Sequence, residues 1–270
     1  MVDFILNREM YKMQESVLMD VIDGIATITL NRPKALNSMN DSLVNELHKC
    51  LDLVEMTDEI KVAVLTGNGK AFSAGGDLGY IETLKTTKER KEFIVLVGLL
   101  AQKIQNIAKP IIAMVNGVTA GAGVNLMLAC DLVYAVDNAK FAQSFAKVGL
   151  VPDCGGMYLL PKAIGIHKAK ELMFTAKMID VKTANELGMI NHICIKEDLE
   201  LETFKMAKEL SHAAPLSIEF IKKTLNNTKL TLSDVLDIEA SLQPLCLASN
   251  DCQEGINAFK EKREAKFTGK

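Results

Sequence analysis

Several protein classes can be set aside from what this 270-residue sequence does not contain. Its six cysteines, at 50, 130, 154, 194, 246 and 252, form no Cys-x-x-Cys pair and no zinc-type spacing. They read as reduced thiols of a cytoplasmic protein, with no metal centre. No apolar run reaches membrane-spanning length, so no membrane association is expected. The start, Met1-Val-Asp-Phe-Ile-Leu-Asn-Arg-Glu, places charges where a secretory signal needs an apolar core. There is no internal repeat and no low-complexity segment. The charge is nearly balanced, with Lys+Arg 31 against Asp+Glu 34 and a net charge of -3, which excludes a nucleic-acid binder held by bulk charge.

Familiar catalytic signatures are also missing, each by one residue or one spacing. Gly67-Asn-Gly-Lys70 is followed by Ala71 where a phosphate loop needs Ser or Thr. Gly121-Ala-Gly123 runs on to Leu126 where a dinucleotide fingerprint needs its third glycine. Ala71-Phe-Ser73-Ala-Gly75 has alanine in place of the first glycine of a serine-hydrolase elbow. The four histidines, His48, His167, His192 and His212, fall on expected helices or strand edges rather than near Ser73.

What is present is a core: 49% of the residues are hydrophobic, enough for one large domain. Asp23-Gly24 between strands 17–22 and 25–30 marks a two-residue hairpin. Strands are expected at 62–66, 111–115, 132–136, near Phe141 and at 189–195, and helices at 44–54, 88–108, 166–176 and 181–187. Beyond residue 199 the strand signals vanish, and 202–212, 216–225, 232–248 and 253–263 read as helices. The chain thus divides into an α/β core, 1–198, and a helical C-terminal region, 199–270.

Three small-residue loops follow strands, around Gly76, Ala122 and Asp153, where α/β proteins place ligands. At Gly121-Ala-Gly123 an apolar strand turns into a helix. The free N–H groups of that helix start favour an oxygen bearing negative charge. The same glycines could equally serve close helix–strand packing.

Four ordered motifs resemble the crotonase (enoyl-CoA hydratase/isomerase) superfamily: Asn31-Arg-Pro-Lys-Ala-Leu-Asn37, Ala71-Phe-Ser-Ala-Gly-Gly-Asp77, Asn116-Gly-Val-Thr-Ala-Gly-Ala-Gly123 and Gly149-Leu-Val-Pro-Asp-Cys-Gly-Gly156. The resemblance extends to the C-terminal Phe259-Lys-Glu-Lys-Arg263 and Phe267-Thr-Gly-Lys270. It implies a crotonase-like spiral of ββα units with a C-terminal helical oligomerisation region, and a homotrimer or hexamer, alone or joined by a related hydratase. It implies an acyl-CoA substrate and no cofactor besides the coenzyme A of that substrate. By resemblance, the Gly76 and Ala122 N–H groups polarise the thioester, and Gly75, Asp77, Gly121 and Phe145 are expected to line the substrate and CoA site. Lys34, Ala35 and Leu36 would line the CoA groove, and Ala71, Phe72 and Ala74 would hold the adenine. Asp77 lies in the site loop and is expected to cap the next helix. Phe259 and Lys262 would reach CoA from the tail, and Lys262 could equally be a solvated lysine.

Hydratases of the superfamily use two glutamates, and the matching positions here are Asn125 and Phe145, neither of which can carry a proton. One carboxylate remains nearby, Asp153, read either as the acid/base or as a helix N-cap. The adjoining Cys154 is expected to point into the wall. One base suffices to move a double bond, and the motifs most resemble the ring-1,2-epoxyphenylacetyl-CoA isomerase branch. The expected function is therefore an isomerase. The alternatives are an enoyl-CoA hydratase, a thioester hydrolase and a non-catalytic partner subunit.

Overall fold

The computed structural model describes residues 9–11, 15–227 and 229–270. The stretch read as unlike a signal peptide, residues 1–8, lies outside them apart from Glu9. The first three strands, β1 (Glu9–Tyr11), β2 (Val17–Ile22) and β3 (Ile25–Leu30), are antiparallel. The β2–β3 turn is made by Asp23 and Gly24, with φ of 51° and 76°. Two successive left-handed residues define the hairpin turn expected of Asp-Gly.

Helix α1 (Asp41–Met56) starts at Asn40, whose side chain accepts from Leu43 N, and buries Val44, Leu47, Leu51 and Val54. From here the chain repeats one unit three times. Strand β4 (Val62–Gly67) joins the large sheet, β5 (Ala71–Ser73) a small one, and helices α2 (Leu78–Thr83) and α3 (Thr87–Asn106) follow. Next come β6 (Ile111–Val115), β7 (Val118–Ala120) and α4 (Ala122–Ala129). The third unit is β8 (Leu132–Val136), β9 (Lys140–Ala142), a 3-10 turn at Ser144–Val148 and α5 (Gly156–Ile164). In each unit the first strand enters the large sheet and the second the small one, which is the expected spiral of ββα units.

Helix α6 (Ile166–Thr175), β10 (Met178–Asp180), α7 (Val181–Glu186) and β11 (His192–Cys194) complete the sheets. Their strand orders are β1-β2-β3-β4-β6-β8-β11 and β10-β9-β7-β5. From β3 to β11 the large sheet is parallel, and β4 and β6 are buried at every position. That is why they appear in sequence as unbroken apolar runs.

Two expectations change. Residues 70–77 are not all loop, because Ala71–Ser73 pairs with β7. The strand expected at 189–195 shrinks to three residues. Met189 N is spent on Ala184 O, and Asn191 N bonds Val133 O, so the chain folds around the helix end before it enters the sheet.

The remaining helices are α8 (Leu199–Ser211), α9 (Pro215–Asn226), α10 (Leu232–Leu247) and α11 (Asn250–Glu261). The first of them packs on the large sheet, burying Leu199, Thr203 and Ala207. Among the described residues no helix is long and apolar enough to cross a membrane.

Helix α9 is tied to the core by a buried ion pair. Lys222 Nζ lies 2.7 Å from Asp131 Oδ2 and 3.0 Å from Lys109 O. Asp131 Oδ2 also accepts from Ile111 N, at the first residue of β6. Burial pushes the Asp131 carboxyl above its ordinary range, against the pull of Lys222. Lys222→Met would strand that carboxylate, so urea denaturation at neutral pH should show a loss of about 3 kcal/mol. The double variant Lys222→Met/Asp131→Asn should recover part of it.

Candidate active site

The loops after β5 and β7 meet backbone to backbone without side chains between, and the loop after β9 is joined to them through the Asn125 side chain. Gly75 has φ of 91°, and a Cβ there would stand 2.7 Å from Ala120 O and 3.1 Å from Ala122 N. Both the backbone conformation and the space demand glycine. Gly123 lies against β5 in the same way, with room for a Cβ only 2.4 Å from Ser73 O. The structure therefore supports both uses of the Gly121–Gly123 run: it packs closely, and it opens a helix toward the Gly76 loop.

Gly76 is flanked by two hydrogen bonds to the buried Met39. Met39 N donates to Gly75 O at 2.7 Å, and Asp77 N donates to Met39 O at 3.0 Å. In such a parallel bridge the N–H of the middle residue points the opposite way. Ala122 is the first residue of α4, and Gly121 N before it is held by Ala142 O at 2.8 Å. Among the described residues neither Gly76 N nor Ala122 N donates a hydrogen bond within the protein. These are the two donors that the sequence singled out.

Asp77 caps α2, its Oδ1 accepting from Tyr80 N, while Oδ2 lies 2.9 Å from Arg32 Nη1. Burial raises its carboxyl, but the Arg32 and Tyr80 donors outweigh that and hold it below the usual range. Lys34 and Ala35 form a 3-10 turn begun by Pro33, and Leu36 follows with φ of 50° and an exposed side chain. Leu36 O accepts Ala74 N at 2.9 Å, which sets this turn beside the Gly75–Gly76 loop. Ala71 and Phe72 are fully buried, and the Phe72 ring belongs to the core. The Phe145 ring lies over Gly121, 3.7 Å or less from where a Cβ there would sit. Phe259 is 86% exposed, and Lys262 closes α11 in a left-handed cap, also exposed. No hydrogen bond or ion pair of the described residues brings these two to the three loops.

Asp153 corrects one of the two readings given to it. Its side chain caps nothing: the N-cap of α5 is Gly155, with φ of 75° and no side-chain bond. Only its carbonyl serves the helix start, accepting Gly156 N at 2.9 Å. Among the described residues Asp153 Oδ1 is buried without a hydrogen-bond partner. Burial raises the carboxyl to about 6. Cys154 is buried as expected and, at φ 47°, turns the chain away behind the carboxylate.

Sequence reading missed the side chains that brace these loops. Asn37, fully buried, donates Nδ2 to Ala71 O at 2.8 Å and to Asn68 O at 3.0 Å, and accepts Arg32 N at 2.8 Å. Its φ of 55°, directly after the left-handed Leu36, is a conformation Asn tolerates, and that was the available signal. Asn125 and Gln143, both buried, are joined at 2.7 Å. Two hollows are lined by other residues, one of about 710 Å³ beside Asp251 and Glu254 and one of about 690 Å³ between α9 and α10.

Residues 20–270 match the family model for enoyl-CoA hydratase/isomerase. The chain is 38% identical to the 1,2-epoxyphenylacetyl-CoA isomerase of Escherichia coli, over 96% of this chain and 100% of that protein. It is 33% identical to the trans-2-decenoyl-[acyl-carrier-protein] isomerase of Streptococcus mutans, over 95% and 99%. The crystal structure of an enoyl-CoA hydratase from Bacillus anthracis superposes with a TM-score of 0.91 at 28% identity, covering 94% of this chain and all of that one. The chain belongs to the enoyl-CoA hydratase/isomerase family, the crotonase superfamily, and is an enzyme of it.

The raised Asp153 carboxyl has a stability consequence whose sign is fixed. Its folded-state value, about 6, exceeds the ordinary 3.8, so ionisation opposes folding. The cost is absent below pH 3.8, grows as the pH rises, and is complete above about 6. Asp153→Asn removes it. Denaturant titration at pH 8 should find the variant more stable by up to about 3 kcal/mol, with the gain shrinking toward pH 4.

Proposed function

We propose that this enzyme is an acyl-CoA isomerase that shifts a double bond, or opens a ring epoxide, with one carboxylate as acid and base. The observation that carries this reading is Asp153: half-buried, its Oδ1 buried and without a hydrogen-bond partner among the described residues, raised to about 6, and tied through its carbonyl to Asn125 of the helix that Ala122 opens, whereas the Asp77 carboxylate is spent on Arg32 and Tyr80. For the double-bond shift, Asp153 takes a proton from carbon, and the electron pair moves into the thioester to give an enolate. The N–H groups of Gly76 and Ala122 hold the negative oxygen, each such donor being worth roughly 2.7–4 kcal/mol of barrier. The electron pair then returns through the conjugated system, and Asp153 delivers its proton two carbons away. No atom is gained or lost, so no second base and no water are required.

The same reading disfavours hydration by two carboxylates. Asn125 has both ends of its amide engaged, and Phe145 offers no proton. Hydratases are nonetheless among the family's members, and a hydratase using Asp153 alone is the second reading. Incubation with crotonyl-CoA separates the two, since hydration bleaches the conjugated thioester band and isomerisation does not.

Asp153→Asn should fold and bind substrate while turnover falls by ~10²–10⁴-fold. In heavy water the wild type should exchange an acyl proton of an unsaturated acyl-CoA, and the variant should not. The wild-type kcat/KM should fall as the pH drops through about 6, because the base must be ionised to act. Wild-type exchange in the variant would leave the proposed reaction without a base.

A homotrimer, or a dimer of trimers, fits the tail. Helix α10 buries no side chain, and Leu232, Leu236, Leu245, Ile221 and Leu225 stand exposed on α9 and α10. An apolar surface of this extent favours burial against another copy. Light scattering at micromolar concentration should give a mass of three or six chains, and a monomer would remove this part of the proposal.

A further inference from the structure

Asn125 is fully buried, and its amide is used at both ends. Nδ2 donates to the Asp153 carbonyl at 2.8 Å, and Oδ1 accepts from Gln143 Nε2 at 2.7 Å. The amide also fills the space over Gly156, where a Cβ would stand 2.2–2.5 Å from its three end atoms. The orientation is forced. Only an N–H can face the Asp153 carbonyl, so Asn125 must turn its oxygen to Gln143, and Gln143 must answer with its own N–H. That leaves Gln143 Oε1 buried and without a partner among the described residues. An unpaired buried oxygen is costly, and here the other end of the amide is already committed.

Among the described residues the Asp153 carboxyl has no hydrogen-bond partner on Oδ1, so that oxygen stands where the backbone puts it. That backbone is held at the Asp153 carbonyl by Gly156 N and Asn125 Nδ2. Asn125 belongs to α4, one turn beyond Ala122, and Gln143 directly follows β9, whose last residue anchors Gly121. The base and the backbone donor therefore hang from one short helix.

We propose that Asn125 and Gln143 are positioning residues, a two-amide relay that fixes Asp153 relative to the Ala122 N–H so that proton transfer and enolate binding share one geometry. This rests on the reading of Asp153 as the base.

The test uses Asn125→Asp, which keeps the shape but sets an acceptor against the Asp153 carbonyl, and Gln143→Met, which removes the relay's second donor. Steady-state kinetics on an unsaturated acyl-CoA should give each variant a kcat lower by about 100-fold, the loss expected of a misplacement near 1 Å, with KM little changed. In Asn125→Asp the acid limb of the pH profile should move to higher pH, since a second carboxylate opposes ionisation of Asp153. In Gln143→Met the limb should stay. The double variant should lose less than the product of the single losses, because both break one chain of contacts. Circular dichroism checks folding, and if Asn125→Asp does not fold, Gln143→Met decides alone. A kcat within about twofold of wild type in the folded variants overturns the relay, as do losses that multiply or a loss confined to KM. If Asp153→Asn itself keeps wild-type exchange, the base reading falls, and the relay falls with it. If Asp153→Asn is inactive while the relay variants are normal, only the relay falls.

Discussion

The structure turns on direct contact between backbones. At Gly75 and Gly123 a single added carbon would meet a carbonyl oxygen at 2.7 and 2.4 Å. These contacts bring the end of β5 against the start of α4, and so set the two free N–H groups beside each other. A side-chain donor could rotate away or be lost by one substitution, whereas a peptide N–H stays wherever the fold puts it. Its energetic value comes from that fixity, since no reorganisation is needed when charge develops on the bound oxygen. The cost is that the fold must be built around the contact. Three successive ββα units do so, each ending its second strand at the same edge.

Around this backbone frame the polar side chains act mostly as braces. Asn37 joins three segments, Asn125 joins α4 to the Asp153 loop, and Arg32 with Asp77 fixes the residue after Gly76. Amides suit this work because each offers a donor and an acceptor in one plane and carries no charge to desolvate. Asp153 is the exception, a carboxylate given burial without a brace on Oδ1. Burial raises its affinity for a proton, with its value lifted to about 6, whereas the Arg32 and Tyr80 donors hold Asp77 below the usual carboxylate range.

Much of this was legible in the sequence where the signal is local. The Asp23-Gly24 hairpin, the buried parallel strands and the 88–108 helix follow from turn chemistry and periodicity. Helix α3 indeed opens at a Thr86/Glu89 capping box. The small sheet was less visible because its strands are three residues long, shorter than any alternation can register. The loops that carry Gly76, Ala122 and Asp153 were found by their glycines. The role of Asp153 as a cap was excluded only by the structure, because Gly155 takes that place. Asn125 stood out only as the place of a missing glutamate, and the bracing bonds of Asn125 and Gln143 had no local mark: they span 28 and 18 positions, and nothing in the flanking residues points across such a gap.

This division between frame and braces bears on how one fold can host both isomerases and hydratases. The donors assigned to the enolate in the proposed mechanism are backbone atoms, so substitution at most positions leaves them untouched. The residue proposed to move the proton, Asp153, is tied through its carbonyl to Asn125 of the helix that Ala122 opens. On the proposed mechanism, an amide in place of a carboxylate at residue 125 changes the proton inventory without moving the two backbone donors. It also converts that position from a group that could act on substrate into one that holds a neighbouring loop. If Asp153 is the base, as proposed, a single residue thus removes one reactive group and steadies another, and the chemistry narrows to what one base can do.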